Sequence, residues 1–406
     1  MNILFLSLLD FNSLDERGIY TDLLRYIEYA GHTVFAISPV EKRNGGETRL
    51  IREETSCILK LKIGNIQKTN VVEKGITTVT LERRFVNAIK KYFGDVKFDL
   101  LLYPTPPITF CGAVEYVKKR DGAKSYLMLK DIFPQNSVDL GMLSTGGLKG
   151  LIYQYFCAKE RKLYEISDRI GCMSQANVDY VLEHNSWLDA EKVTMCPNAL
   201  EVIDKSVDSN TRTAIRNKYG VPLDKKVFVY GGNLGRPQDI KHLVACIDSQ
   251  KEKDDVFFLV VGDGTDYDVM ADYVTTASHD KVRLMQRLPR EDYDTLVGAC
   301  DVGLIFLDHR FTIPNFPSRL LSYMQAKLPV LAVTDANTDI GRIIEDGNFG
   351  WWCESDFVDK FVTVMEQVMH ADLSIGQNGF EYMKEHYNAE KVAKQVLAEV
   401  ERIRYK

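Results

Sequence analysis

Apolar residues along this chain fall into two kinds of run. Short unbroken stretches such as NILFLSLL, HTVFAISP, FDLLLYPTP, KSYLMLKD and RIGCMS present no polar face, so each predicts a strand buried on both sides. Between them the apolar positions recur at helical spacing, as over residues 20–30, which Gly31 ends. Strands alternating with helices predict a parallel sheet with crossover connections. Residues 45–80 break this rhythm: they are polar and basic without a clear period, and read as a hairpin or a mobile insertion. The rhythm then resumes in KKVFVYGGNLG, DDVFFLVVGDG, KVRLMQRLP, CDVGLIFLD and LPVLAVTD, five further strand candidates separated by helical segments. A polar stretch over residues 201–224 joins the halves, and AEKVAKQVLAEVERIRYK closes the chain as an amphipathic helix. The fold class is therefore α/β, with two Rossmann-like parallel-sheet domains and a cleft expected where the carboxyl ends of their strands face each other.

Composition narrows the function. The chain has 406 residues, more than one core usually serves, and its 45% hydrophobic and 27% charged residues are those of an ordinary globular protein. The net charge of -6 is uneven: residues 1–200 carry 26 Lys+Arg against 24 Asp+Glu, and the remainder 25 against 33. No dominant basic stripe is present, which argues against a nucleic-acid partner. The eight cysteines form no C-x-x-C pair and mostly lie among apolar residues, which predicts buried thiols in a reducing compartment and no zinc site. The start of the chain reads as a core strand rather than a leader, and no apolar run approaches the length of a membrane span. A cytoplasmic protein is expected, with one candidate for contact with a membrane surface. In LERRFVNAIKKYF, Leu81, Phe85, Ile89 and Phe93 form a stripe beside Arg83, Arg84, Lys90 and Lys91. Such a helix either lies on an anionic membrane or docks its stripe on its own domain.

Candidate chemistry gathers at strand ends in the second half. VFVYGGNLGRPQ runs from a strand into Gly231, Gly232, Asn233, Leu234 and Gly235, then Arg236; VVGDGTDYD places Gly262, Asp263 and Gly264 after the next strand. Glycines there let backbone N–H groups approach an anion, and an adjacent arginine adds a bidentate cation. Neither turn is G-x-G-x-x-G or a P-loop. In FTIPNFPSRLLSYMQAKLPVLAVTD, Pro317 and Ser318 open a helix and Arg319 sits in its first turn, where the macrodipole disfavours a cation. Either Arg319 pairs with a nearby carboxylate or solvent, or an anion from elsewhere resolves the conflict. The two Asp-x-Asp pairs, Asp266/Asp268 and Asp292/Asp294, read as helix caps or solvated surface rather than a metal site. No spacing of His, Cys or Ser supports a hydrolase, and the missing dinucleotide fingerprint argues against an oxidoreductase.

In order and spacing, GGNLGRPQ, LVVGDG, RLPREDYDTLVGACDVGLIFL and FPSRLLSYMQAKLPVLAVTD resemble the donor-nucleotide domain of retaining GT-B glycosyltransferases of the family four group, which builds capsules, O-antigens and exopolysaccharides. ERGIYTDLLRYIEYAGHTV, LKDIFP and CPNAL resemble its acceptor domain more loosely. The resemblance implies an acceptor-binding domain over residues 1–200, a nucleotide-sugar domain over 201–385, and a helix over 386–406 returning to the first. It implies a nucleoside diphosphate sugar as donor, with UDP the expected carrier, a glycan or lipid-linked acceptor, retention, and neither metal nor other cofactor. Arg236 and Arg319 would grip the diphosphate, with the helix start at Pro317 and Ser318 offering N–H groups. Arg287, Leu288 and Pro289 would meet the base; Gly18, Gly232, Asn233, Gly262, Asp263 and Gly264 would line the donor site. Asp131 is the candidate to position or deprotonate the acceptor hydroxyl, its alternative being a cap or ion pair near Lys130. The glutamates of the family's Glu-x7-Glu are replaced by Pro314 and Ser322, leaving a hydroxyl for the ribose. A sugar-nucleotide epimerase of this fold, or a non-catalytic nucleotide-binding protein, is the alternative.

Overall fold

The computed structural model describes residues 1–66, 71–277 and 280–404. By their internal contacts these form two units, residues 1–201 with 388–406, and residues 202–387. In the first, β1 (Asn2–Leu6), β2 (Thr33–Glu41), β3 (Arg49–Arg52), β4 (Ser56–Ile63), β5 (Leu100–Pro104), β6 (Lys124–Leu129), β7 (Arg169–Cys172) and β8 (Val193–Met195) form one sheet in the order β3-β4-β2-β1-β5-β6-β7-β8. All its pairings are parallel except β3 with β4. In the second, β9 (Lys226–Asn233), β10 (Val256–Asp263), β11 (Val282–Met285), β12 (Val302–Phe306), β13 (Val330–Thr334) and β14 (Gly350–Glu354) form a parallel sheet in the order β11-β10-β9-β12-β13-β14.

The central strands are buried on both faces, as their unbroken apolar runs require: Ile3 to Leu6, Leu100 to Leu102 and Val227 to Val229 are fully inaccessible. Residues 45–80 are not simply an insertion. A hairpin is present, but β4 pairs with β2 over eight residues from Val34↔Ser56 to Glu41↔Ile63, making it part of the main sheet. Its pattern was obscured by Lys60, whose buried ammonium bonds Asp10, the Phe11 carbonyl and Ser38 Oγ. β14 was missed as well, since GWWCE follows a glycine turn and lies at the sheet edge.

The helix Ala389–Arg404 belongs to the first unit. Its Val392, Ala393, Val396 and Val400 share one core cluster with Leu23, Leu24 and Ile27 of the helix Ile19–Tyr29. Tyr126 O–H also donates to Glu399 Oε2 at 3.1 Å.

The stripe of Leu81, Phe85, Ile89 and Phe93 faces this unit's own interior, each residue no more than 1% exposed, which corrects the membrane reading of residues 81–93. Phe85 packs on Phe110 at 4.9 Å and Phe93 on Phe35 at 5.5 Å, so this stripe is not available to a bilayer. Phe85→Ala is therefore expected to lower unfolding stability by about 3–5 kcal/mol in denaturant titration. A stripe facing lipid would instead lose vesicle binding and keep its stability. Among the described residues no helix is long and apolar enough to cross a membrane.

Candidate donor-nucleotide site

Register builds the site. β9 and β10 run parallel with Gly262 opposite Gly232 and Asp263 opposite Asn233, so the two glycine turns, 30 residues apart in sequence, end side by side. Their backbones approach more closely than side chains permit. A Cβ at Gly262 would overlap the Gly232 carbonyl, and one at Gly264 the Leu234 carbonyl. Gly232 has φ 117, which L-residues rarely adopt. Leu234 N–H donates to the Asp263 carbonyl at 2.8 Å, and Asp266 N–H to the Leu234 carbonyl at 2.8 Å, locking the turns together.

Beside them opens a cavity of 520 Å³, within the range of a small-ligand site. Of the residues singled out in the sequence, Gly232, Asn233, Gly262, Asp263, Arg287, Leu288 and Ser322 line it. The others lie elsewhere. Gly264 packs behind the turn, Pro289 caps the helix Arg290–Gly298, and Arg236 is exposed at the start of the turn Arg236–Gln238. Pro317 and Ser318 precede the helix Arg319–Gln325, but the N–H groups of Leu320 and Leu321 already bond the Pro317 and Ser318 carbonyls. This end therefore has fewer donors for an anion than a fully open first turn. Gly18 lies in the first unit, its N–H given to Asp22 Oδ1 at 3.2 Å; with φ 174 its backbone is extended, a conformation that demands no glycine.

Arg319 is the unusual residue. Its guanidinium carbon stands 4.4 Å over the Tyr230 ring, and its Nη1 is buried with no hydrogen-bond partner. No carboxylate pairs with it among the described residues. Tyr230 O–H donates to the Asn233 carbonyl at 2.7 Å, and the Tyr323 hydroxyl accepts from Gly231 N–H at 3.2 Å, so the rings around the cation are held by the glycine turn. At Gly232, on the cavity wall, an added Cβ would meet Arg319 Nη2 at 3.6 Å; the glycine keeps side chains out of the space before the guanidinium. A cation whose Nη1 is cut off from solvent without a partner is costly, and this one lies behind Gly232 on the cavity wall.

Sequence reasoning placed four lining residues outside the site: Val261, Arg290 and Tyr293, which it did not single out, and Asp294, which it read as cap or surface. Asp292 fits its surface reading, exposed and paired with Lys218 at 3.1 Å. Asp294 does not: its carboxylate is largely buried against Lys205 at 2.6 Å and contributes to the cavity wall. Lys205 lies 89 positions away, so only the tertiary contact distinguishes the two acids. Asp266 and Asp268 open the helix Tyr267–Thr276. Asp239, Asp308 and His309 bring potential metal-ligand atoms within 4.8 Å of one another. Both Asp308 oxygens are engaged by Arg310, at 2.9 and 2.5 Å, and Asp239 caps the helix Ile240–Asp248, so both acids have structural roles without an ion.

In the first unit Asp131 follows β6. Asn136 Nδ2 donates to its Oδ1 at 2.7 Å, and burial raises its pKa from 3.8 to about 6 against the lowering effect of that bond. Lys130 is not its ion partner, since its ammonium donates to the Cys196 carbonyl at 2.7 Å.

Two parallel α/β units and a glycine-walled cavity with a waiting cation define the class: the chain has the GT-B fold, and its solved structural neighbours are GT-B glycosyltransferases. Residues 211–387 match the family model described as Glycosyl transferases group 1. It is 23% identical to the probable glycosyltransferase WbjE of Pseudomonas aeruginosa, over 86% of this chain and 83% of that protein. It is 26% identical to the putative colanic acid biosynthesis glycosyl transferase WcaI of Escherichia coli K12, over 59% of this chain and 58% of that one. The Anabaena protein HepE, solved in complex with UDP-glucose, superposes with TM-score 0.68 at 14% identity over 98% of both chains.

Proposed function

We propose that this protein transfers a sugar from a UDP-sugar to a hydroxyl of a glycan or lipid-linked acceptor, with retention at the anomeric carbon, in the synthesis of a surface polysaccharide. The observation that carries this reading is the Arg319 guanidinium, its Nη1 buried without a partner, behind Gly232 on the wall of the 520 Å³ cavity. The putative role of WcaI in colanic acid biosynthesis and the UDP-glucose held by HepE support the polysaccharide and the carrier.

The chemistry asks for stabilisation of a departing diphosphate, on whose oxygens charge develops in the transition state. A cation already desolvated and fixed against Tyr230 needs no reorganisation to supply it. Arg236, exposed beside the same glycine turn, is free to swing onto the distal phosphate. Neutralisation by arginine and backbone dipoles makes a metal dispensable in this proposal. Arg287 and Leu288 form the wall for the base, and Ser322 offers the ribose a hydroxyl where a carboxylate is the family habit. Asp131, with its raised pKa, is suited to take up or share the acceptor proton near neutral pH. The protein works in the cytoplasm in this scheme, a setting supported by eight free cysteines, seven of them buried.

The test is a screen of UDP-sugars with acceptor oligosaccharides in the presence of a chelator, with the product's anomeric configuration read by NMR. A new glycosidic bond of the donor's configuration is expected. Conversion of the UDP-sugar without any acceptor would replace the proposal with the epimerase reading, and turnover that stops with chelator would reinstate a metal.

A further inference from the structure

The first unit holds a second cavity, of 410 Å³, that the donor chemistry does not use. It lies between the loop after β6, the helix Gly147–Ile166 and the helix Gln175–His184. Its wall is strongly aromatic: Tyr153, Tyr164, Tyr180, His184 and Trp187 line it together with Glu160. Tyr180 and His184 stack at 3.9 Å, and the Arg161 guanidinium lies 4.5 Å from the Trp187 ring, which remains 38% exposed.

Glu160 decides what fits. Tyr164 O–H donates to its Oε1 at 2.9 Å, and no cation pairs with it among the described residues. Arg161, the cation on the wall, is engaged by Glu165 at 3.0 Å. Burial, with a smaller contribution from nearby Asp131, raises the Glu160 pKa to about 7. An alkyl chain would strip water from this carboxyl and from the tyrosine hydroxyls without replacing its hydrogen bonds. A phosphate would face a carboxyl that ionises near neutral pH, with only an already paired arginine to offset it. A neutral ligand with flat C–H faces and several hydroxyls meets every requirement. Its apolar faces lie on the rings, and vicinal hydroxyls reach the carboxyl and the side chain of Gln135, which already accepts from Tyr153 O–H at 3.4 Å.

We infer that this aromatic cavity is a saccharide-binding site that holds one pyranose unit of a glycan. The cavity adjoins Asp131 through Ile132, so the inference deepens the acceptor side of the proposed function and rests on it, while saccharide binding here requires no nucleotide and is tested apart from the donor site.

The experiment is saturation-transfer NMR on the full chain without nucleotide, using millimolar methyl glycosides of glucose, galactose, N-acetylglucosamine and rhamnose. At least one is expected to show transfer, centred on ring protons of the sugar. Glu160→Gln, which keeps the side chain's shape, and Tyr180→Ala are each expected to weaken that binding about tenfold. Tyr164→Phe, which removes only the hydroxyl that orients Glu160, provides a milder change should Tyr180→Ala fail to fold. UDP titrated into the same samples reports the other unit, so loss of one ligand is separable from loss of the other. The inference is overturned if no glycoside binds a wild type that binds UDP, or if the signal survives unchanged in Glu160→Gln and in whichever of Tyr180→Ala and Tyr164→Phe folds. It is equally overturned if octyl glucoside binds where methyl glucoside does not, since the cavity would then be taking the alkyl chain.

Discussion

Replacing Arg319 by methionine is expected to leave a protein that melts at the same temperature or higher and no longer binds UDP measurably. The two effects share one cause. In the free protein the guanidinium lies against Tyr230, its buried Nη1 lacks a partner, and among the described residues no carboxylate offsets its charge. An apolar side chain of similar length removes that cost while keeping contact with the ring, a change expected to be neutral or stabilising by about 1–2 kcal/mol. In the proposed reaction the same cation faces the donor diphosphate, and its removal is expected to lower kcat by about 100-fold or more, as loss of one preorganised charge-stabilising group typically does. Calorimetric titration with UDP and a thermal melt of the same sample check both halves. A purely structural arginine would give the reverse pattern, a lower melting temperature with UDP binding retained. Arg319→Lys is expected to recover only part of the affinity, because an ammonium cannot make the paired bonds of a guanidinium.

Asp131→Asn is expected to lower turnover by about 100-fold at neutral pH and to remove the acid limb of its pH dependence. The wild type should lose activity as pH falls through about 6, the value to which burial raises this carboxyl from 3.8. Stability should move the other way. A carboxyl whose pKa is raised on folding holds its proton more tightly in the folded chain. Its contribution is therefore most favourable below 3.8 and is lost as pH rises through about 6, so that above this value the ionised group opposes folding. The full shift corresponds to about 3 kcal/mol, and residual solvent contact of this half-buried residue reduces the expected gain from asparagine to about 1–2 kcal/mol. Asn136 Nδ2 can still donate to an asparagine oxygen, so the substitution leaves that bond in place. Denaturant titrations at pH 4 and pH 8 separate the two states: a gain at both, or at neither, would show that the carboxyl is not held in this way.

The sequence alone determined the parallel strands and the glycine turns. Runs such as Ile3 to Leu6 and Val227 to Val229 are apolar on every side, and only a sheet covered on both faces accommodates them. The turn at Gly231 to Gly235 and that at Gly262 to Gly264 were equally legible, because a glycine cluster after an apolar run is a local signal. The order of these pieces along the chain also carried the likeness to group 1 glycosyltransferases. What local pattern cannot state is which distant group lies opposite. Leu81, Phe85, Ile89 and Phe93 form the same stripe whether it faces lipid or its own domain, and packing on Phe35 and Phe110 settles the matter. Asp292 and Asp294 look alike until Lys205 buries the second. Arg319 reads as an ordinary cation at a helix start until Tyr230, 89 positions earlier, is found beneath it with no carboxylate paired to it among the described residues. Glu160 drew no attention because its significance lies in the tyrosines that line the cavity with it and in having no cation partner among the described residues. Periodicity records which face of an element avoids water. The charge balance, desolvation and cavity that give a residue its chemistry arise only when elements far apart in the chain pack together.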